Sequence, residues 1–427
     1  MATSTVERLP YGIGRWTAGW YAIIGLSMVI LLLGLYAYSR QLIEGEIVTG
    51  LRNIGTMGGA TWGLYVAFIV YFVGVSFAGI TIAALIRLLN LERLRPISRM
   101  AELLTVIALI LGGMSVVVDV GRPLRALIYL PLYGRPMSPF FGTCTLVIAG
   151  YLFASLVYLY LAGRRDAAIC AERSDGALEA FYRLWAAGYR DTPAERERHN
   201  RASFWLAIAI LPLLVTAHST LGFVFGLQVG RPGWFSALQA PGFVILAGLS
   251  GVGHIVVIAA ILRRVLGVKD QLNMEVFKWL GNFLLLLTIA YLYFMTVEWL
   301  TTTYAAHHHE ARLSAALLAG EFAWLFWLLV GSLVVPFLLL FGQFMTGRYH
   351  LWVVVLSGVL VNLAAIVKRV LIVVPSQTHG TLLPYGAGSY SPTWVEYSVI
   401  LGLLALGALL YILFMKVFPI MEIPEHA

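Results

Sequence analysis

Six ionisable side chains lie inside or at the edge of long apolar runs, where a charged group is costly unless it is paired or hydrated. They are Asp119, His218, Glu298, Glu321, Lys368 and Arg369. Imidazole and carboxyl groups accept and release protons, and guanidinium and ammonium groups stabilise negative charge. Such a set could bind a small molecule with hydrogen-bonding oxygens and exchange protons with it.

The sequence does not favour a metal or haem centre. His218 and His254 differ in depth by roughly 10 Å or more at the rise of an α-helix, which does not suit bis-histidine ligation. Cys144 and Cys170 are too few for an iron-sulfur cluster or a metal cage. The run His307–His309 has no second ligand cluster at a suitable spacing, and we interpret it as a solvated loop. We therefore expect no metal, haem or iron-sulfur cluster in this chain.

A quinone suits these residues. Its two carbonyl oxygens need hydrogen-bond donors, its ring needs aromatic and aliphatic walls, and its protons must pass to a titratable group. Histidine can serve as that group because its ordinary pKa of about 6.5 lies near neutrality.

Each of these side chains also has a structural interpretation. Asp119 could pair with Arg122, and Glu298 could lie in the membrane interface in contact with water. His218 could be a hydrogen-bonding contact between helices. Lys368 and Arg369 are consecutive and point about 100° apart on a helix, so at least one of them needs its own anion inside the bundle.

Ten apolar runs of roughly 20 residues must position these groups. The sequence is 60% hydrophobic and 12% charged, with a mean hydropathy of +0.85, a balance that a water-soluble domain does not reach. Since a backbone in lipid must satisfy its own hydrogen bonds, the runs predict an all-α polytopic bundle. The predicted spans are 17–38, 62–88, 101–119, 140–162, 203–226, 239–263, 276–299, 316–342, 350–375 and 394–416.

The positions of lysine and arginine predict the orientation, because cytoplasmic segments keep the excess of both. Most of the 29 cations fall on the side of the N-terminus. We therefore predict that both termini are cytoplasmic and that residues 163–202 form a cytoplasmic loop with an amphipathic helix. The net charge of +8 is then a topology signal, and nucleic-acid binding is not needed to explain it.

Two further ionisable residues lie toward the cytoplasmic side, Glu102 at the start of the third span and His254 in the sixth. Their structural interpretations are a carboxylate that reaches the interface and a polar packing contact. As a hypothesis, Glu102, His254, Glu321 and Lys368 are candidates for a proton route across the membrane.

Four stretches share features with a known family of membrane proteins. Trp62–Gly79 is similar to that family's second helix, and residues 97–123, with Asp119-Val120-Gly121-Arg122-Pro123, are similar to its third helix and exit loop. His218–Trp234 is similar to a segment with a fifth-helix histidine and a Pro-Gly-Trp turn, and residues 324–419 are similar to its closing helices. The chain thus resembles the polysulphide-reductase membrane subunits, the NrfD/PsrC-like proteins. It is most similar to their ten-helix members of hydrogenase and alternative complex III assemblies.

The resemblance implies one integral membrane domain over residues 1–427. Within it, 62–226 and 239–375 would form two four-helix bundles, flanked by the spans 17–38 and 394–416. It also implies a quinone pocket, for menaquinone or ubiquinone, near the outer face of a bacterial or archaeal cytoplasmic membrane. A periplasmic ferredoxin-like iron-sulfur subunit would dock beside it, and the catalytic partner would be a molybdenum enzyme, a hydrogenase or a multihaem cytochrome c.

Position by position, the resemblance also suggests site residues. Glu298 is added because counting 1.5 Å per residue from the span ends places the six ionisable residues named above at one depth, toward the outer face. The predicted quinone contacts are Asp119, Arg122, His218, Glu298 and Arg369. Of these, Asp119 and His218 are predicted to handle the proton. The sequence departs from the family at residues 75–78, where many ten-helix members have a histidine, and at Lys368, where they have a glutamate.

We predict a quinone-binding membrane subunit of a respiratory oxidoreductase, without a redox cofactor of its own, that exchanges electrons with an iron-sulfur partner. Participation in proton translocation stays open at this point. One alternative is a secondary transporter, for which polar residues on interrupted helices near the membrane midplane are typical. Another is a passive anchor without a quinone site.

Overall fold

The computed structural model describes residues 9–52, 59–135, 137–138, 145–305, 307–380 and 388–423. Ten helices in these ranges are long and apolar enough to cross a membrane, and no strand occurs among the described residues. This confirms the predicted all-α polytopic fold. The first five residues of the predicted span 140–162 lie outside the described residues.

The ten long helices are α1 (Ala18–Glu44), α2 (Leu64–Leu88), α3 (Arg95–Asp119), α5 (Leu146–Glu172), α7 (Pro193–Gly226), α8 (Gln239–Val265), α9 (Met274–Ala305), α11 (Ala323–Thr346), α12 (Leu351–Val373) and α14 (Trp394–Val417). Between them lie the shorter helices α4 (Pro123–Tyr133), α6 (Ala177–Ala186), α10 (His308–Leu318) and α13 (Pro375–Thr378).

The long helices pack in two groups and one pair. Helices α2, α3, α5 and α7 contact one another in a ring, and α8, α9, α11 and α12 do the same. Helix α2 connects the two groups, because it also packs against α8 and α12. Helix α14 packs along α1 and contacts α3, so the pair lies beside the first group.

A pair of glycines brings α1 and α14 into close contact. A Cβ atom on Gly34 would lie 2.9 Å from the Gly402 Cα, and one on Gly402 would lie 3.0 Å from the Gly34 Cα. A larger side chain at either position would force the helices apart. Small residues at such crossings are common in membranes, where close backbone approach replaces the hydrophobic effect as the source of packing energy.

The two ends of the bundle carry different short helices. At one end, called the α6 end, the Tyr182 hydroxyl of α6 donates to the Val417 carbonyl, and Tyr11 donates to the Glu422 carbonyl. The predicted loop 163–202 lies at this end and is largely helical, since α5 and α7 extend into it on either side of α6. The opposite end, called the α10 end, carries α4, α10 and α13.

A buried ion pair joins α3 to α5 at the α6 end. Arg99 Nη2 lies 2.9 Å from Asp166 Oδ2, and the two side chains are 0% and 3% exposed. The Arg99 guanidinium also lies over the ring of Phe418. The pair compensates two charges that would otherwise be isolated in the bundle.

The predicted span 316–342 begins too early. Helix α10 ends at Leu318, a turn includes Gly320 and Glu321, and α11 begins at Ala323. The apolar residues before Gly320 therefore belong to α10. The interpretation of His307–His309 as a loop is also wrong, because α10 begins at His308, although all three histidines are exposed.

Candidate functional site

A cavity of about 360 Å³ lies at the α10 end of the second helix group, between α9, α10, α11 and α12. Its polar wall includes Glu298 and Thr302 of α9, Lys368 of α12 and Glu310 of α10. Both carboxylate oxygens of Glu310 accept from the Gly233 amide, at 3.0 Å each. This contact holds α10 across the ends of the long helices.

Aromatic rings form the other side of the cavity. Trp299 of α9, together with Phe326 and Trp327 of α11, lines it. Trp299 and Trp327 are also 47% and 57% exposed, so the cavity reaches the outer surface of the bundle between these two helices. In a membrane that surface faces lipid or its interface, and a lipid-soluble ligand could enter from the side.

An ion pair crosses this cavity wall. Lys368 Nζ donates to Glu298 Oε2 at 2.9 Å, and the side chains are 15% and 33% exposed. Glu298 thus supplies an anion for Lys368, one of the two adjacent cations of the ninth span. Both groups keep some exposed surface toward the cavity, where they can donate to and accept from a ligand.

Arg369 points to a different side of α12. Its guanidinium carbon lies 4.1 Å from the centre of the Phe243 ring, and the residue is 3% exposed. Its Nη1 has no hydrogen-bond partner among the residues that the structure describes. Arg369, Phe243 and Tyr291 line a smaller space that shares Glu298 and Lys368 with the main cavity. The structure therefore brings Glu298, Lys368 and Arg369 together.

His218 lies apart from this cavity, in the first helix group. Its Nδ1 lies 2.8 Å from the Leu214 carbonyl oxygen, and its Nε2 lies 2.7 Å from the Val73 carbonyl oxygen. The residue is 1% exposed, and the Phe77 ring packs edge-on at 4.9 Å. Since a carbonyl only accepts, a neutral imidazole donates one of these bonds and an imidazolium donates both.

A series of buried polar groups extends from His218 toward the α6 end. The Ser76 hydroxyl donates at 2.6 Å to the same Val73 carbonyl that His218 contacts. The hydroxyls of Tyr151 and Thr105 both donate to the Ser76 carbonyl, at 2.9 Å each. These groups are called the polar column.

Glu102 lies one turn before Thr105 on α3, at the α6 end of the polar column. It is 1% exposed, accepts from the Ser98 hydroxyl at 3.1 Å and lies 3.7 Å from Arg99 Nε. The structural interpretation of Glu102 as a carboxylate that reaches the interface is therefore wrong, because its side chain is inside the bundle.

Asp119 belongs to another group at the α10 end, beside α1. Its Oδ1 is buried and has no hydrogen-bond partner in the part of the chain that the structure describes. Gln41 Nε2 donates to Glu46 Oε1 at 3.0 Å and to the Val118 carbonyl at 3.1 Å, which brings Glu46 to the end of α3. Burial raises the pKa of Glu46 above its ordinary value, and the nearby carboxylate of Glu396 adds to this effect.

The remaining predicted residues are dispersed. Arg122 is exposed immediately before α4. Glu321 is exposed in the turn before α11, 3.8 Å from His379 Nε2. His254 lies in the middle of α8, with its Nδ1 3.1 Å from the Ser250 carbonyl oxygen.

The predicted residues therefore occupy several separate places, and neither Asp119 nor His218 lines the cavity that contains Glu298. The sequence analysis missed Tyr291, Met295 and Thr302, which line this cavity or the smaller space beside it. Their spacing from Glu298 is a signal that could have found them, because side chains at such intervals share one face of a helix.

Comparisons with known proteins agree with this architecture. A family model described as polysulphide reductase, NrfD, matches residues 52–380. A putative membrane subunit of dimethyl sulfoxide reductase from Halobacterium salinarum is 29% identical, over 96% of this chain and 93% of its own length. A selenate reductase subunit from Mesobacillus selenatarsenatis is 24% identical, over 94% of each chain.

A third relative is named for its reaction with a quinol. The Hdr-like menaquinol oxidoreductase integral membrane subunit of Archaeoglobus fulgidus is 25% identical, over 96% of this chain and 95% of its own length. The match to the family model covers most of the ten-helix bundle, from residue 52 to residue 380. The chain therefore belongs to the polysulphide reductase NrfD family, as its motifs indicated, and is a membrane subunit of an oxidoreductase complex.

Proposed function

We propose that the chain binds a quinone or quinol in the cavity between α9, α10, α11 and α12. The observation that carries this proposal is the Glu298–Lys368 pair, which is exposed to an aromatic cavity at the surface of a membrane bundle. Quinone sites need such a combination of apolar walls and a few polar groups. The name of the Archaeoglobus relative, which includes menaquinol, supports the same class of ligand.

Each polar residue has a role in this proposal. A quinone accepts two electrons and two protons to become a quinol. Lys368 donates a hydrogen bond to a ring oxygen. Glu298 accepts the two protons of a quinol in turn, because its partly exposed side chain can release the first to water before it takes the second. Arg369 contributes a fixed positive charge behind them, which stabilises negative charge in this part of the bundle. The electrons pass to or from an iron-sulfur protein docked at the α10 end.

We also propose that His218 and the polar column take part in proton transfer. A carbonyl oxygen lies at hydrogen-bond distance from each ring nitrogen, so either nitrogen of the imidazole can carry a proton that is hydrogen-bonded. Ser76, Thr105 and Glu102 continue from it toward the α6 end, which the distribution of cations predicts to be cytoplasmic. We propose a route for protons along these side chains, in which water carries the proton between them because the shared Val73 and Ser76 carbonyls only accept, with Asp119 and Glu46 as a separate carboxyl site at the outer end.

The test uses the complex purified with its native partners. Turnover with a water-soluble quinol analogue is compared with turnover of a viologen dye, which reacts with the catalytic partner directly. Glu298→Gln and Lys368→Met should each lower quinol-linked turnover about tenfold or more, as expected for the loss of a charge-assisted hydrogen bond. Dye-linked turnover should not change in either variant.

Glu321→Gln serves as the matched control, because Glu321 lies at the same end but is exposed in a turn. Normal quinol-linked turnover in both cavity variants would refute the proposed site. Mass spectrometry of a solvent extract of the same complex tests the passive-anchor alternative, which predicts no bound quinone. Solute flux by the chain alone in liposomes would instead support a transporter.

A further inference from the structure

A second cavity, of about 380 Å³, lies away from the Glu298 site. It is enclosed by α1, α2, α3, α8 and α14, so it separates the flanking pair from the helix groups. Most of the residues from α14 belong to the half of that helix that ends at Val417, and those from α3 come from its middle. The cavity therefore lies between the middle of the bundle and the α6 end.

Ring side chains supply the polar atoms of this cavity. Trp20, His254 and Tyr411 all line it, within walls that are otherwise aliphatic or aromatic. The hydroxyl oxygen of Tyr411 is buried and has no hydrogen-bond partner among the described residues. A buried hydroxyl without a partner is unfavourable, so a ligand that offers an oxygen to Tyr411 would gain a hydrogen bond that the protein alone leaves unmade.

The cavity also reaches the side of the bundle. Ile23 of α1 and Ile261 of α8 line it, and they are 49% and 53% exposed. A ligand can thus enter from the hydrocarbon region without passing through water. An acyl chain could fill the apolar walls but would leave the Tyr411 hydroxyl unpaired. A ring with oxygen substituents fills the walls and also supplies that partner.

We propose that this cavity is a second quinone-binding site, in which the Tyr411 hydroxyl donates to an oxygen of the ring and His254 forms part of the wall. The proposal extends the proposed function, since it requires that the chain meets quinones in the membrane. It concerns binding alone and involves no electron transfer at this site. Its volume is close to that of the Glu298 cavity, so it has room for a molecule of similar size.

The experiment is photolabelling of the whole purified complex, in lipid nanodiscs, with an azido-quinone, followed by mapping of the labelled peptides by mass spectrometry. We expect label on peptides of α8 and α14 that contain His254 and Tyr411, as well as on peptides of α9 and α12. Unlabelled quinone should compete for both sets, whereas excess phospholipid should not.

Two variants of α14 and one control make the test specific. Ala408 lines the cavity and is exposed to it, so Ala408→Phe should fill the space and abolish label on α8 and α14. Tyr411→Phe should reduce that label about fivefold, the effect of one lost hydrogen bond. Leu401→Phe, on the same helix but outside the cavity lining, should change nothing.

The outcomes separate this inference from the proposed function. Label on α9 and α12 alone, or label on α14 that persists unchanged in Ala408→Phe, would overturn the second site and leave the first intact. Label on α8 and α14 alone would support the second site and count against the Glu298 cavity. Displacement of the label by phospholipid would assign the cavity to an acyl chain and overturn the inference.

Discussion

Lys368 of α12 and Glu298 of α9 form a 2.9 Å ion pair whose two side chains both line the candidate quinone cavity. The pair therefore has two roles that a mutation can separate. It joins two helices of the second group, and it presents one donor and one acceptor to a ligand. Exchange of the two charges preserves the first role and reverses the second.

The combined variant Glu298→Lys with Lys368→Glu should recover the stability that either single change loses. Each single change places like charges together in a partly buried site, and we expect the thermal midpoint of the detergent-solubilised complex to fall by a few degrees. In the combined variant the midpoint should return, whereas quinol-linked turnover should stay low. Recovery of both properties would show that the pair is structural and does not contact the quinone.

His218→Gln tests the proposed proton role of the imidazole. Glutamine keeps a donor for one of the two carbonyls but cannot change its protonation near neutrality. Because His218 acts on the proton route and does not contact the quinone, we expect quinol-linked turnover to fall about tenfold and its pH profile to flatten. Dye-linked turnover is the control. If the rate of quinol-linked turnover and its pH profile were both unchanged, His218 would have only a structural role, as a contact between α2 and α7.

The Arg99–Asp166 pair should contribute far more to stability than an exposed pair of similar geometry. Asp166→Asn leaves a fully buried guanidinium without its closest anion, which should cost about 3 kcal/mol and lower both yield and thermal midpoint. Glu44→Gln removes the anion of the exposed Arg40–Glu44 pair and should leave the midpoint unchanged. Equal effects of the two variants would contradict the compensating role of the buried pair.

Glu46 should make stability depend on pH. Burial and Glu396 raise its pKa in the native state, so between the ordinary and the raised value the native protein binds more protons than the unfolded chain. Stability contributed by this group is present at low pH and is lost as the pH rises through the native pKa. Glu46→Gln should therefore match the wild type at pH 5 and exceed its thermal midpoint at pH 8. A larger gain at pH 5 than at pH 8 would reverse the sign and refute this account.

The sequence was sufficient for the ten long apolar helices, although not for every boundary. Hydrophobicity over a helix length is a one-dimensional property, so the ten runs could be recognised without knowledge of their neighbours. The same counting placed Glu298 and Lys368 at one end of their helices, and the structure pairs them. Gly320 could have indicated the end of a helix, but the apolar residues before it made the segment resemble the beginning of the eighth span.

The depth of a residue along its helix gives neither the direction of its side chain around the helix axis nor the neighbours of that helix in the bundle. Asp119 lies at the same end as Glu298, yet its neighbours are Gln41 and Glu46 of the flanking region. His218 faces α2 because α7 packs there, a relationship that depends on contacts between distant segments. Residue types could therefore predict a site of this kind but not its composition.

The glycine contact between α1 and α14 has a consequence for biogenesis. Only 11% of the most apolar stretch of α1 is buried in the bundle, and α14 supplies its main packing surface. During synthesis α1 is surrounded mainly by lipid until α14 is inserted and Gly34 packs against Gly402. The wall formed by Trp20 and Tyr411 is then the last to close, and a membrane-dissolved molecule already resting against α8 would be enclosed as the two helices come together.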